Sequence, residues 1–421
     1  MARFYHRLVS MTGRDPHQRG RVATTLELFF DLTFVVVFSL GGVQLAHYLS
    51  IGHFRTATLA FAFCALAGIW AWINFTWMSS AFDTDDWLFR LVTMLQMVGV
   101  CILALGIEPV FRTVDAGTFV DNEIIVARYV VMRVALLFQW MRVAVQSEEY
   151  RATAMIYIAS ITVAQIGWII SAVAHLSLGK MVVAAAILWV VELAGPVLAE
   201  RRKSTPWHAH HVAERYGLLV IITLGEGIVG TVTVLQAVVG DYGWSVDAAV
   251  FGLTGIAINF CMWWIYFAIP TADILHAHPE KCFPWGYGHA VVYLAIAAFG
   301  AGLHVAALQI EHEATISTWV VTATIAGPVA VYLLSMLAMY GYLVGASVRT
   351  TAVFVAALAF LVLSVAITYW GTSVVAAMIV IVIAAALVVL YDELTEAHDR
   401  AEKLSPELSS AGASGVSSAD G

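Results

Sequence analysis

The chain has 421 residues; 61% are hydrophobic, only 12% are charged, and the mean hydropathy is +0.84. A soluble domain holds about half apolar and about a quarter charged residues, so a water-soluble fold is excluded. The net charge of −8 lies mostly in loops and the tail, and no basic run points to nucleic acid.

Catalytic classes find no support either. Cys64, Cys101, Cys261 and Cys282 show neither metal spacing nor a disulfide framework. There is no nucleophile motif, phosphate loop or dinucleotide fingerprint, and the polar segments are too short for a catalytic domain. The sequence therefore predicts no enzyme and no cofactor. Residues 1–23 carry five arginines and no apolar core of a signal peptide; they read as a basic cytoplasmic N-terminal extension.

From there the chain is a series of apolar blocks of about 18 to 28 residues, each long enough to cross a bilayer. About twelve spans are predicted: 28–49, 56–78, 88–107, 123–145, 151–174, 181–199, 212–237, 246–268, 285–308, 316–343, 351–370 and 372–391. This is an all-α, polytopic helical membrane protein; a barrel would show shorter, alternating segments. Fourteen lysines and arginines fall in the termini and the loops on their side, against three (Arg55, Arg112, Lys180) in the opposite loops. That bias predicts both termini in the cytoplasm. The Ser-, Ala- and Gly-rich end, 396–421, is expected to be a disordered cytoplasmic tail.

The first span opens with two acids, Glu27 and Asp31, four residues apart and so on one helix face. Thr24 or Thr25 can cap that helix, and Glu27 suits its first turn. Asp31 lies a turn deeper, among Phe29, Phe30 and Phe34. Further along, Arg133 falls in mid-span four, Glu192 in mid-span six and Glu226 in mid-span seven. A charge at the bilayer centre costs roughly 2.5–3.5 kcal/mol even on lenient scales. Arg133 is expected to neutralise one acid, leaving another to hold a proton or a cation. Glu192 precedes Pro196 by four, so its carbonyl receives no helical N–H. Gly225 and Gly227 flank Glu226, and glycines allow close backbone approach. The ground-level alternative is that these charges only fix helix packing.

Span seven begins with His208, His210, His211, Glu214 and Arg215. His210 and Glu214 have the spacing of a divalent-metal pair, though histidines beside Trp207 also suit a headgroup anchor. The chain divides on paper into 24–200 and 201–395, six spans each. Glu27 aligns with Glu214 and Trp72-Ile73-Asn74-Phe75 with Trp264-Ile265-Tyr266-Phe267, which suggests two parallel six-helix repeats.

At these same residues the chain resembles a known family. Thr25-Leu26-Glu27-Leu28-Phe29-Phe30-Asp31-Leu32-Thr33-Phe34-Val35 and Ala213-Glu214-Arg215-Tyr216-Gly217-Leu218-Leu219-Val220-Ile221-Ile222-Thr223-Leu224-Gly225-Glu226 are similar to the two signatures of the bacterial low temperature requirement A proteins, over roughly 20–395. The chain departs from that pattern at Thr33 and Gly227. The resemblance implies a bacterial inner-membrane protein tied to growth in the cold, with no defined biochemical activity. A second likeness, of layout alone, runs to potassium channels built from two six-span repeats.

Together these readings predict a multi-pass transporter or channel for a cation or a proton-coupled solute. Asp31, Glu192 and Glu226 are its expected ion or proton sites, with Arg133 as counter-charge. Glu27, Glu214, Arg215, Gly225, Gly227 and Pro196 are expected in structural or gating roles. The alternatives are a non-transporting stress-response or structural protein, and a lipid enzyme whose metal is held by His208, His210, His211 and Glu214. The expected partners are the bilayer and an ion or small molecule; homo-oligomers are possible.

Overall fold

The computed structural model describes residues 8–117 and 123–396. Its regular elements, among the described residues, are all helical. Contacts divide the chain into two compact units, residues 1–44 with 55–215 and residues 45–54 with 216–421. The first unit contains α1 (Thr25–Thr33), most of α2 (Val35–Ser50), α3 (Phe54–Phe82), α4 (Trp87–Ala104), α5 (Ile107–Ala116), α6 (Glu123–Gln146), α7 (Arg151–Val173) and α8 (Leu178–Arg202). The division falls inside α9 (Ala209–Tyr242), after Arg215. The second unit continues with α10 (Val246–Phe267), α11 (Thr271–Ala277), α12 (Cys282–Ile310), α13 (Thr318–Leu343), α14 (Val348–Tyr369) and α15 (Val374–Tyr391).

Among the described residues, 11 stretches are long and apolar enough to cross a membrane, with α1 and α2 forming one and α4 and α5 another. The remaining expected span is α6, a 24-residue helix whose hydropathy is diluted by Glu123, Arg128, Arg133 and Arg142. The bilayer setting follows from these helices. The expected tail, 396–421, lies outside the described residues except for Glu396, as does the start of the N-terminal extension, 1–7.

Local chemistry sets the helix ends. Thr24 Oγ1 accepts from the Glu27 N–H at 3.2 Å, and the Thr24 N–H donates to Glu27 Oε2 at 2.8 Å, a full capping box. Asp86, Ser245, Ser347 and Ser373 cap α4, α10, α14 and α15. The first span is not one helix. The Thr33 hydroxyl donates back to the Phe30 carbonyl at 2.7 Å, and the Phe34 N–H reaches Asp31 O at 3.1 Å, tightening the turn between α1 and α2. Pro196 and Pro328, by contrast, remain inside α8 and α13.

The first unit packs α4 on α6, α6 on α7 and α7 on α8. Phe30 and Phe75 rings meet at 3.9 Å, and Trp140 stacks on Tyr157 at 4.0 Å. Residues 9–23 are tied over helix ends of this unit. The Val9 N–H donates to Asp86 Oδ2 (3.2 Å), the Met11 N–H to Gln146 Oε1 (2.8 Å) and the Arg14 N–H to Ala81 O (2.9 Å). In the second unit α12 lies along α13, α13 along α14 and α14 along α15. Tyr216 packs its ring on Trp285 at 4.5 Å.

Candidate functional site

Among the described residues, the buried charges of the spans include two networks in the first unit and one lone acid in the second, apart from the pair Arg142–Asp86. The first set joins α1, α3 and the first turns of α9. Arg215, fully buried, donates through Nε to Asp31 Oδ2 at 3.0 Å, through Nη2 to Asp31 Oδ1, and through Nη1 to Glu27 Oε1 at 3.0 Å. The planar guanidinium fits a carboxylate with two parallel bonds, and its third edge serves the second acid. Trp72 Nε1 donates to Asp31 Oδ1 at 2.6 Å, and the Ser79 hydroxyl to Glu27 Oε1 at 2.8 Å. His211 Nε2 sits 3.0 Å from Glu27 Oε2. The capping box of α1 therefore feeds directly into this network through Glu27.

The second set lies on α3, α6 and α8. Arg133 Nη2 donates to Glu192 Oε2 at 2.7 Å and also to the Tyr129 hydroxyl. Trp70 Nε1 donates to the same Glu192 oxygen at 2.7 Å. Arg133 thus neutralises Glu192, and the expectation that it balances one of the buried acids has a named partner.

The third set is a single side chain. Glu226 lies near the middle of the 32-residue span Ala209–Gly240 and is 7% exposed. Among the described residues it has no ion pair and no hydrogen bond. Its surroundings are tight. A Cβ at Gly300 of α12 would come within 2.7 Å of the Glu226 backbone, and one at Gly227 within 2.3 Å of Asn259 Oδ1 on α10. Both positions need glycine for the helices to approach this closely. Gly225 faces open space. Asn259 Nδ2 donates to Gly255 O at 3.0 Å, while its Oδ1 has no hydrogen-bond partner.

The polar entrance of α9 bears on the metal alternative. His208, His210, His211 and Glu214 do not converge on one point. The described residues hold no cluster of three or more His, Cys, Asp or Glu able to hold a metal. Helical spacing aims them apart: His208 Nε2 meets Gln18 O at 2.9 Å, His211 Nδ1 meets Ser80 Oγ at 3.2 Å, and Glu214 Oε2 accepts from the Ala23 N–H at 3.1 Å. His211 and Glu214 hold the start of the chain and Glu27 in place.

The sequence profile of the bacterial low temperature requirement A protein (LtrA) matches residues 22–389. The chain belongs to the LtrA family. An uncharacterized protein of Rhizobium meliloti (strain 1021) is 28% identical over 255 residues, which is 57% of this chain and 57% of that relative. This chain therefore spans little more than half of that relative's length. No solved structure matches.

In this LtrA-family chain the two stretches that carry the resemblance meet. Arg215 of the second grips Glu27 and Asp31 of the first. Sequence reasoning gave Arg215 a structural role without naming those partners, and it missed Ser79 and Trp72 as donors. The available signal was depth: an arginine two turns into span seven matches two acids at the same end of span one. The pair Arg142–Asp86, at 2.8 Å, was also missed. Outside the spans, burial and then the charge of Glu27 push Asp83 up to about 7, against Arg14 at 3.4 Å. Burial and neighbouring Arg14 pull Arg21 down to about 10.

Proposed function

We propose that the protein is a transporter or channel for a cation or a proton-coupled solute, with Glu226 as the site that takes the proton or cation. One observation carries this reading: among the described residues Glu226 is an acid of the membrane centre without a partner, while Glu27, Asp31 and Glu192 are matched by Arg215 and Arg133. An unmatched charge at that depth is costly, so the group is neutral or holds a counter-ion, and the choice between those states is what a coupled carrier uses. Asn259 Oδ1, a buried acceptor beside Gly227, adds a neutral oxygen suited to a hard monovalent cation. Asp31 and Glu192 then serve as packing ion pairs. The charge bias of the loops supports a reading with both termini in the cytoplasm of a bacterial inner membrane.

The test is flux in proteoliposomes under Na⁺, K⁺ and H⁺ gradients in turn, wild type beside Glu226→Gln. A flux present in the wild type and absent in the variant supports the reading. No wild-type flux under any of the three gradients removes the ion assignment and favours a packing role for all the buried charges.

A further inference from the structure

Glu192, the partner of Arg133, borders a cavity within the first unit. Its walls are Phe63 and Ala67 of α3, Val126 and Tyr129 of α6, Trp168 of α7, and Trp189 and Glu192 of α8. The free volume is about 20 Å³, room for about one water-sized molecule. Four aromatic rings make it apolar, and two polar atoms break that surface. Glu192 Oε2 is saturated by Trp70 and Arg133, but Glu192 Oε1 has no partner in the protein. Trp168 Nε1 has none either. Both residues are more than nine-tenths buried. Arg133 Nε and Nη1 are unpartnered as well, but Arg133 does not line the cavity, so among its lining residues Glu192 offers an open acceptor and Trp168 an open donor, and leaving either unmatched is costly.

Charge selects the occupant. Glu192 is already neutralised by Arg133 at 2.7 Å, so the site as a whole carries no net charge. A cation entering would meet the guanidinium, and an anion the carboxylate; either would be an uncompensated ion among apolar walls. A neutral molecule that both accepts and donates matches both orphans. The geometry points to a binding site for one uncharged, water-sized nitrogen or oxygen hydride, which accepts from the Trp168 indole N–H and donates to Glu192 Oε1. Water and ammonia share that chemistry. This site is separate from Glu226, and its test does not depend on transport.

The test is NMR of the full chain in nanodiscs with ¹⁵N-labelled tryptophan. The Trp168 indole signal is the one lost in Trp168→Phe. The expected result is an indole proton with a cross-peak to the solvent hydride. Ala67→Leu, which fills the cavity while leaving both polar side chains in the sequence, should abolish that cross-peak and shift the signal. Titration with ammonium chloride at alkaline pH, against sodium chloride at equal ionic strength, separates the sources. A saturating shift with the ammonium salt alone assigns ammonia, and a cross-peak to water unmoved by ammonium assigns water. A Trp168 signal with no cross-peak, unchanged by Ala67→Leu and by ammonium, means a dry cavity and overturns the proposal.

Discussion

Asp31 and Glu226 are both carboxylates buried in apolar helices, and their surroundings are opposite. Asp31, in the first unit, accepts from two nitrogens of Arg215 and from Trp72, so every bond it gains anchors α1 to α3 and α9. Glu226, in the second unit, accepts from nothing among the described residues, although glycines bring α12 against its backbone. A matched buried charge is a fastener: remove one partner and the other is left stranded. An unmatched one fastens nothing, so its burial calls for a different explanation.

The largest expected effect comes from stranding the two acids of the first unit. Arg215→Met should cost about 3–5 kcal/mol, read as a fall in melting temperature of the detergent-solubilised protein. Arg215→Lys should recover only part of that loss, because an ammonium cannot make the parallel pair of bonds to Asp31. A full recovery by lysine would show that charge alone, and not the fork, holds the network.

How much of this contrast was legible in the sequence depends on the distance over which a signal acts. The spans were readable because membrane helices must be long and apolar, and the cap at Thr24 because it is a matter of three residues. The break at Phe34 was not, since no proline or glycine marks it and the Thr33 hydroxyl produces it. Pro196 takes the helical N–H from the Glu192 carbonyl, yet α8 runs through it, as α13 does through Pro328. Arg133 was recognisable as a counter-charge by depth, but its choice of Glu192 depends on which faces of α6 and α8 meet. Helices that are apolar all round do not reveal their facing sides. Arg215 and the pair Glu27 and Asp31 lie on distant helices, and only the fold sets their register.

Smaller changes probe the same network. Trp72→Phe keeps the ring and removes one donor to Asp31; a loss of about 1.5–3 kcal/mol is expected, since the bond is to a charged group. A loss within measurement error would mean that Arg215 alone satisfies Asp31. At the edge of the network, Asp83 gives a pH signature. Its folded-state carboxyl sits at about 7, above the ordinary carboxylate range, chiefly through burial and the charge of Glu27. The native state therefore binds the proton more tightly than the unfolded state. Its contribution to stability is full below about pH 4 and is lost as pH rises to about 7. Asp83→Asn should flatten that slope, seen as the wild-type minus variant difference in melting temperature between pH 4.5 and 8. A difference that stays constant across the window removes Asp83 as the titrating group. The smallest change is Thr24→Ala, which removes the hydroxyl half of the capping box for about 1 kcal/mol. Urea titration of the helical circular-dichroism signal checks it.

The comparison rests finally on Glu226 being a group the fold does not need. The most direct measurement is the melting temperature of Glu226→Gln beside Asp31→Asn in the same detergent. Glutamine keeps the shape and removes only the ionisable group. The melting temperature of Glu226→Gln is expected to equal or exceed that of the wild type, while Asp31→Asn falls well below it. A drop in Glu226→Gln as large as that in Asp31→Asn would show that Glu226 is a fastener too, and the functional reading would fail.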